Sequence, residues 1–392
     1  MPLPLTEQPS TSKGALCDRF SNSFLLILAR SILVNLAIWL LALSAFAINT
    51  TEFGIIGILP LIARDLNIGI DQAGSLVTLF ALTVAVAGPP LTIFSARFDR
   101  KRLFIAILAT FIVSNLIAAL APNFGWLAIA RILPALGLPV FWAVASVAAT
   151  QLVPPAQRSR AVAIVFAGLS VATVLGVPFG TLIANLWNWQ ASFLAMAGLS
   201  TISLIGLLIF LPPITSTGQS RLGQQLSILR RKRLWLGLLS NSLLLAGMFT
   251  SYTYLAEFLE QVTQLDGRWI SLMLLVFGAT GVIGNWLAGR GLDRNILKTT
   301  RTMILLLAGI SAIASLVGAS FALTFPLLLL WGLVHTGCFV ITQVRAISLA
   351  PEAPELAGSL NVSICNLGIA LGSTIGGWVI QSATVQAIGW VR

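Results

Sequence analysis

Charge is what this 392-residue chain has least of: 12 acidic and 23 basic side chains, together 9% of all residues. A soluble domain carries about 25%. Apolar residues make up 57% and the mean hydropathy is +0.95, so a water-soluble globule is excluded. Polar and apolar residues do not alternate along the apolar runs, which excludes a transmembrane β-barrel. Cysteine is scarce too. Cys17, Cys338 and Cys365 are odd in number and lack ligand spacing, so they form neither a disulfide framework nor a metal site. No phosphate-cradling glycine loop, metal cluster or nucleophile motif occurs, so ATP-driven and hydrolytic chemistry lack the residues they need. The chain reads as not an enzyme, with no cofactor.

Long apolar runs take the place of those features. They cover 33–62, 73–94, 103–121, 126–150, 160–184, 191–211, 235–258, 270–289, 302–321, 325–349 and 356–381. Each is about as long as the roughly 20 residues a helix needs to cross a bilayer. The chain is therefore expected to be an all-α membrane protein with eleven transmembrane helices. Prolines within these runs are tolerated because neighbouring helices re-satisfy the freed carbonyls.

The net charge of +11 resembles a nucleic-acid footprint, but the bases sit in short connections between apolar runs. Lys13, Arg19 and Arg30 precede span 1, and Arg97, Arg100, Lys101 and Arg102 follow span 2. Arg158 and Arg160 follow span 4, Arg221 and Arg230 to Arg233 follow span 6, and Arg290, Arg294, Lys298 and Arg301 follow span 8. All fall on one face, and only Arg64, Arg268 and Arg392 fall on the other. That asymmetry predicts a cytoplasmic amino terminus and a lipid partner, with no nucleic acid. The first span reads as an uncleaved anchor. Residues 212–234 open on Pro212-Pro213 and end in Arg230-Arg231-Lys232-Arg233. They form either a topogenic linker on anionic lipid or a partner site. The division is then a tail over 1–31, a six-helix bundle over 32–211, the linker, and a five-helix bundle over 235–392.

The halves echo each other. Arg97-Phe98-Asp99-Arg100 follows span 2, and Arg290-Gly291-Leu292-Asp293-Arg294 follows span 8. Internal repetition of this kind is expected of a transporter that binds substrate between two related bundles, near the bilayer midplane.

Few groups inside the spans can carry chemistry. Glu52 is the only charge in its run and costs about 2.5–3.5 kcal/mol at the bilayer centre. It is either a proton site or a structural carboxyl, with Asn49, Thr50 and Thr51 within one turn as hydrogen-bonding partners. Arg131 is the only base well inside a span. It tunes a nearby carboxyl, reaches the interface, or pairs with backbone carbonyls. His335 is the sole histidine, suited either to proton handling or to packing. Tyr252 and Tyr254 offer ring faces with polar tips to a ligand, or belong to an interfacial belt. Glu257, one turn on, is expected in a water-exposed mouth. Phe141, Trp142, Asn361 and Asn366 are further candidates for a substrate cavity.

Several strings carry a family likeness: Ser95-Ala96-Arg97-Phe98-Asp99-Arg100-Lys101, Gly176-Val177-Pro178-Phe179-Gly180-Thr181, and Asn49-Thr50-Thr51-Glu52-Phe53. Others are Phe141-Trp142 followed by Pro154-Pro155 and Arg158, then Leu349-Ala350-Pro351-Glu352-Ala353, and Asn366-Leu367-Gly368-Ile369-Ala370-Leu371-Gly372. Together they resemble the major facilitator superfamily, in its drug and sugar proton-antiporter branch, and within that the bacterial sugar efflux and arabinose-efflux-type permeases. The resemblance implies a two-bundle fold and export of sugars or small amphiphilic compounds and drugs by proton antiport with alternating access. It also implies a bacterial inner-membrane location and a monomer with protons and a small-molecule substrate as partners. Its alternatives are an uncoupled facilitator and a non-transporting remnant. It casts Arg97, Asp99, Arg100, Arg290, Asp293 and Arg294 as conformational-loop residues. The loop departs from the family pattern, with Ala96 where the family has Asp and Asp99 as the expected substitute in a contact with a neighbouring helix end. The family has twelve spans. Residues 382–392 are too few to cross a bilayer, so the twelfth is expected to be missing, with the carboxyl terminus on the outer face.

Overall fold

In the computed structural model, residues 34–95, 98–154, 157–214, 227–383 and 385 are described. The tail with Cys17, the middle of the linker and the residues from 386 onward lie outside them, as does Arg97. All regular structure among the described residues is helical, and eleven helices are long and apolar enough to span a membrane. They are α1 (Val34–Asp65), α2 (Ile70–Ser95), α3 (Arg100–Ala119), α4 (Phe124–Leu152), α5 (Arg160–Leu186) and α6 (Trp189–Phe210). The others are α7 (Lys232–Gln261), α8 (Gly267–Arg294), α9 (Ile296–Val317), α10 (Phe321–Leu349) and α11 (Pro354–Ser382).

The number of spans matches the sequence reading, and the boundaries differ for one physical reason. Helices begin at polar caps, and hydropathy registers only the apolar body. Asp99, Asn123, Asn188, Asp266 and Asn295 each accept a hydrogen bond from the backbone N–H three residues on, at 2.8–3.3 Å. Such a cap satisfies one of the orphan donors of the first turn. The effect is largest at α9, which starts at Ile296 and takes Lys298 and Arg301 into its first turns. The expected basic loop between α8 and α9 shrinks to Asn295. Arg290, Asp293 and Arg294 are therefore helical, in the last turns of α8, and are not loop residues. Cations are favoured there by the carbonyl end of the helix.

Two sets of helices pack in matching ways. In the first half α5 lies along α1, α2 on α4, and α3 on both α4 and α6. In the second, α11 lies along α7, α8 on α10, and α9 on α10. The halves meet along α2 with α11 and α5 with α8. The likeness is atomic in places. A Cβ on Gly168 of α5 would lie 2.2 Å from Ala42 O of α1, and one on Gly368 of α11 would lie 2.2 Å from Ser242 O of α7. The two contacts are 200 residues apart at both partners (242 − 42 and 368 − 168). Only a missing side chain lets backbones approach so closely, and membrane helices use this in place of a hydrophobic driving force.

Polar contacts between the halves gather at one end, where α1 turns into α2 and α7 into α8. Arg64 and Glu260 form an ion pair there. Ser373 Oγ donates to Gly74 O (3.0 Å), Gln381 Nε2 to Asp71 Oδ2 (2.5 Å) and Asn185 Nδ2 to Gly267 O (3.3 Å).

Candidate functional site

The centre of the molecule is organised by a break in α1. The helix narrows to a 3₁₀ turn over Gly54–Ile58 and resumes as a short α-helix over Leu59–Asp65 with Pro60 in its first turn. Proline has no N–H to donate to the preceding turn, so the ladder changes spacing just after Glu52. Arg131 enters from α4 and occupies the carbonyls at that point. Its Nη1 donates to Thr51 O (2.7 Å) and its Nη2 to Glu52 O (2.9 Å). The guanidinium lies 4.4 Å from the centroid of Phe80 on α2 and is 1% exposed. Neutral carbonyls and an aromatic face hold this cation. It neither reaches an interface nor ion-pairs with the Glu52 carboxylate, since the ion pairs among the described residues are Arg64–Glu260 and Arg231–Glu352.

Glu52 is 8% exposed, and no hydrogen bond or ion pair from the described residues reaches its carboxylate. The expected partners turn away. Asn49 Nδ2 donates to Ala45 O (2.6 Å) and Thr51 Oγ1 to Ala47 O (3.1 Å), both back onto the same helix. Thr51 Oγ1 also accepts from Asn115 Nδ2 of α3 (3.1 Å). Thr50 Oγ1 lies against α5, 2.2 Å from where a Cβ of Gly176 would be.

Phe53, the next residue, leads to the other half. Its ring centroid is 6.2 Å from Phe249 of α7 and 6.4 Å from Phe339 of α10. Both belong to a ring cluster around His335, whose centroid is 4.4 Å from Tyr252, 5.4 Å from Phe277 and 5.8 Å from both Phe249 and Phe339. The offset of 200 residues that relates the α1 and α7 contacts places Tyr252 at the position of Glu52 (252 − 52). One half has an acid where the other has an aromatic ring.

The remaining candidates separate. Tyr254 stands apart from Tyr252 and donates its hydroxyl to Ser373 O (2.9 Å), in the joint between α7, α2 and α11. Glu257 is not in a water-exposed mouth. It is buried, 6% exposed, and accepts from Gln261; Glu260, three residues on, makes the contact with Arg64. A cavity of about 210 Å³ beside that ion pair is lined by Pro60, Asn185 and Asp266 among others, on the far side of the α1 break from Glu52. Phe141 packs edge-on to Phe104 (5.8 Å) in the core of the first half, and Trp142 lies 4.6 Å from Phe166 of α5. Asn361 accepts from Asn241 (2.8 Å) and donates to Gln343 (3.0 Å), and Asn366 donates to Val362 O (3.1 Å). At the loop after α2, Asp99 caps its own helix, and no hydrogen bond or ion pair joins it to a neighbouring helix among the described residues. Lys101 makes the contact with a neighbouring helix end, donating to Leu208 O (2.9 Å) and Leu211 O (2.7 Å) at the end of α6.

The sequence reading missed Asn115, Asn241, Gln343 and Arg345, all polar residues inside apolar runs. Arg345 is a second base within a helix, its guanidinium 3.5 Å from Ser240 Oγ. Their signal was composition alone, because an amide or base in a membrane span calls for a partner. Among the described residues no cluster of potential metal ligands occurs.

The family model of the Major Facilitator Superfamily matches residues 39–373. The inner membrane transport protein YdhP of Escherichia coli is 35% identical over 350 residues, covering 89% of this chain and 90% of that one. A probable sugar efflux transporter of Helicobacter pylori is 31% identical over 355 residues, covering 90% of each. Among solved structures, a bacterial homolog of the human lysosomal transporter Spinster, inward-facing and unoccupied, aligns with a TM-score of 0.69 at 17% identity, covering 90% of this chain and 83% of that one.

Proposed function

Because the chain belongs to the Major Facilitator Superfamily, we propose that it expels sugars or small amphiphilic compounds from the bacterial cytoplasm in exchange for protons. The observation that carries the reading is the Glu52 carboxyl, buried at the α1 break with no hydrogen bond or ion pair from the described residues while the nearby base gives its hydrogen bonds to backbone. A structural carboxyl in lipid is held by donors; this one is left able to gain and lose a proton. Protonated, it adds no charge to a closed interior. Ionised, it is best hydrated when the space between the halves opens to water. Alternating access then links proton entry to substrate exit. Each charge moved inward gains about 2.3 kcal/mol per 100 mV of membrane potential.

The two halves, 32–211 and 235–392, are the moving bodies, joined by the 212–234 linker. With the amino terminus cytoplasmic, the end closed by Arg64 and Glu260 is the outer face. The ring cluster around His335 offers substrate an apolar wall facing Phe53, and one chain holds both walls, so a monomer suffices.

The test is efflux from proteoliposomes under an imposed pH gradient, wild type against Glu52→Gln. Gradient-driven efflux should disappear in the variant while gradient-independent exchange persists. Equal flux with and without the gradient in the wild type would make the protein an uncoupled facilitator. Unchanged driven efflux in the variant would remove Glu52 from the mechanism.

A further inference from the structure

Both halves break their first helix, and both keep an acid beside the break. In α1 the acid is Glu52, just before the 3₁₀ turn. In α7 the regular helix stops at Tyr252 and resumes at Leu255, and the acid is Glu257, just after the break. By the 200-residue offset Glu257 stands where α1 has Gly57 (257 − 57). The first half meets this position of the repeat with no side chain, so the shared packing does not call for a carboxyl there.

The first half covers Glu257. The helical ladder resumes at Tyr254, whose carbonyl accepts from Phe258 N (2.9 Å). With about 100° between neighbours, the Glu257 side chain leaves the helix between those of Tyr254 and Glu260. Tyr254 points to α2, where its hydroxyl fills the space that a Cβ of Gly74 would take. Glu260 points to α1, where it pairs with Arg64. Glu257 is thus turned to the corner between α1 and α2, in the seam between the halves, and is 6% exposed.

Its one hydrogen bond among the described residues comes from Gln261 of its own helix, and Arg64 is given to Glu260. The other charged groups at this end come from three elements. Asp65 ends α1 and accepts from Trp189 Nε1 (2.7 Å), Asp71 starts α2 and accepts from Gln381, and Asp266 and Arg268 start α8. α9 and α11 add no charge at this end among the described residues. Acids therefore outnumber bases five to two here, in a chain where bases outnumber acids 23 to 12. The cavity of about 210 Å³ reaches Ala256 and Glu260 on either side of the acid, and has room for several waters at about 30 Å³ each.

A carboxylate that passes from a wet, open seam to a dry, closed one must find a partner or give up its charge. Glu257 has no cation of its own, so the seam closes most easily when this acid carries a proton. A ligand that binds one of two states better draws the population to that state, and the proton is such a ligand. Acid therefore favours the closed outer seam, and the preference fades as the surroundings turn alkaline.

We propose that Glu257 is a second proton-binding site, separate from Glu52, which reads the outer solution and sets how readily the outer seam closes. It acts on the gate and not on the exchange. The proposal rests on the export reading for the existence of an open outer state and for which end is outside.

The test is the distance across the outer end, read by double electron–electron resonance on the full chain in nanodiscs. Spin labels go on Leu120→Cys and Ala319→Cys, exposed positions that follow α3 and α9. Cys17→Ser removes a third label, and Cys338 and Cys365 are buried. Going from about pH 8 to about pH 5 should raise the closed-to-open ratio about tenfold in the otherwise unaltered chain. Glu257→Gln should hold the closed population at every pH, and Glu257→Asp, which keeps the acid, should keep the response. Glu52→Gln should leave the response in place. Glu260→Gln should shift the ratio equally at all pH values, the mark of a merely structural seam contact. A response that survives in folded Glu257→Gln overturns the proposal, as does one that vanishes in Glu52→Gln. A single distance at every pH in the otherwise unaltered chain overturns it too; gradient-driven efflux by that chain would leave the export reading standing. A response lost in Glu257→Gln, in a chain that shows no gradient-driven efflux, would instead support the gate site and remove the antiport.

Discussion

Replacing Arg131 by lysine tests the centre of the molecule most directly, because it keeps the charge and removes the fork. The guanidinium spans two successive carbonyls, Thr51 O at 2.7 Å and Glu52 O at 2.9 Å, through two different nitrogens. An ammonium lacks the planar two-nitrogen fork, so it cannot present two parallel N–H bonds and a ring-stacking face at once. One charge-assisted bond is lost, and one buried carbonyl loses the guanidinium as its donor. Each such loss is worth about 1–3 kcal/mol. The planar stack on Phe80, 4.4 Å away, is lost too, at roughly 0.5–1 kcal/mol. We expect Arg131→Lys to be destabilised by about 2–4 kcal/mol, read as lowered thermal stability in detergent, with gradient-driven efflux reduced because the Glu52 backbone is no longer fixed. Adding Glu52→Gln to the lysine variant should not restore stability, since the guanidinium bonds to backbone and not to the carboxylate. An Arg131→Lys protein that melts with the wild type, or is rescued by Glu52→Gln, would refute this account.

Two further expectations concern the scaffold. Gly168→Ala and Gly368→Ala each force a Cβ to within 2.2 Å of a backbone oxygen on the neighbouring helix, and should cost a similar 1–3 kcal/mol each; Gly198→Ala, with nothing within 4 Å, should cost nothing, and equal melting of all three would disprove the repeat in packing. The Arg64–Glu260 pair, with side chains 60% and 27% exposed, should contribute no more than about 1 kcal/mol, so Glu260→Ala should match the effect of 1 M salt on the wild type, whereas a loss of several kcal/mol would place the pair in a drier setting.

How much of this was legible beforehand follows from where each interaction is encoded. The spans were legible because lipid demands continuous apolar runs, and the internal repeat because Asp99-Arg100 and Asp293-Arg294 recur. The start of α9 was not, because one cap at Asn295 outweighs two cations that hydropathy assigns to a loop. Glu52 stood out as a lone acid. That Arg131 would spend its donors on backbone required knowing that α1 breaks at Gly54, and the glycines and Pro60 hinted at a break without saying what would fill it. Asn49 and Thr51 were expected to serve Glu52 because they are near it in sequence, yet a side chain in lipid finds its own helix carbonyl first. The amide network was invisible as a network, since 100 or more residues separate Asn241 from Gln343 and Asn361.

The glycine contacts at Gly168 and Gly368 and the divergence at Glu52 and Tyr252 have different ages in the molecule's logic. Where helices touch, both copies of the repeat have kept the same solution; at the position of Glu52, each copy carries a different side chain. The scaffold is thus present in duplicate, but its chemistry is not. Damage to one packing contact leaves its twin in the other half, whereas the acid at 52 and the amides around Asn361 have no understudy.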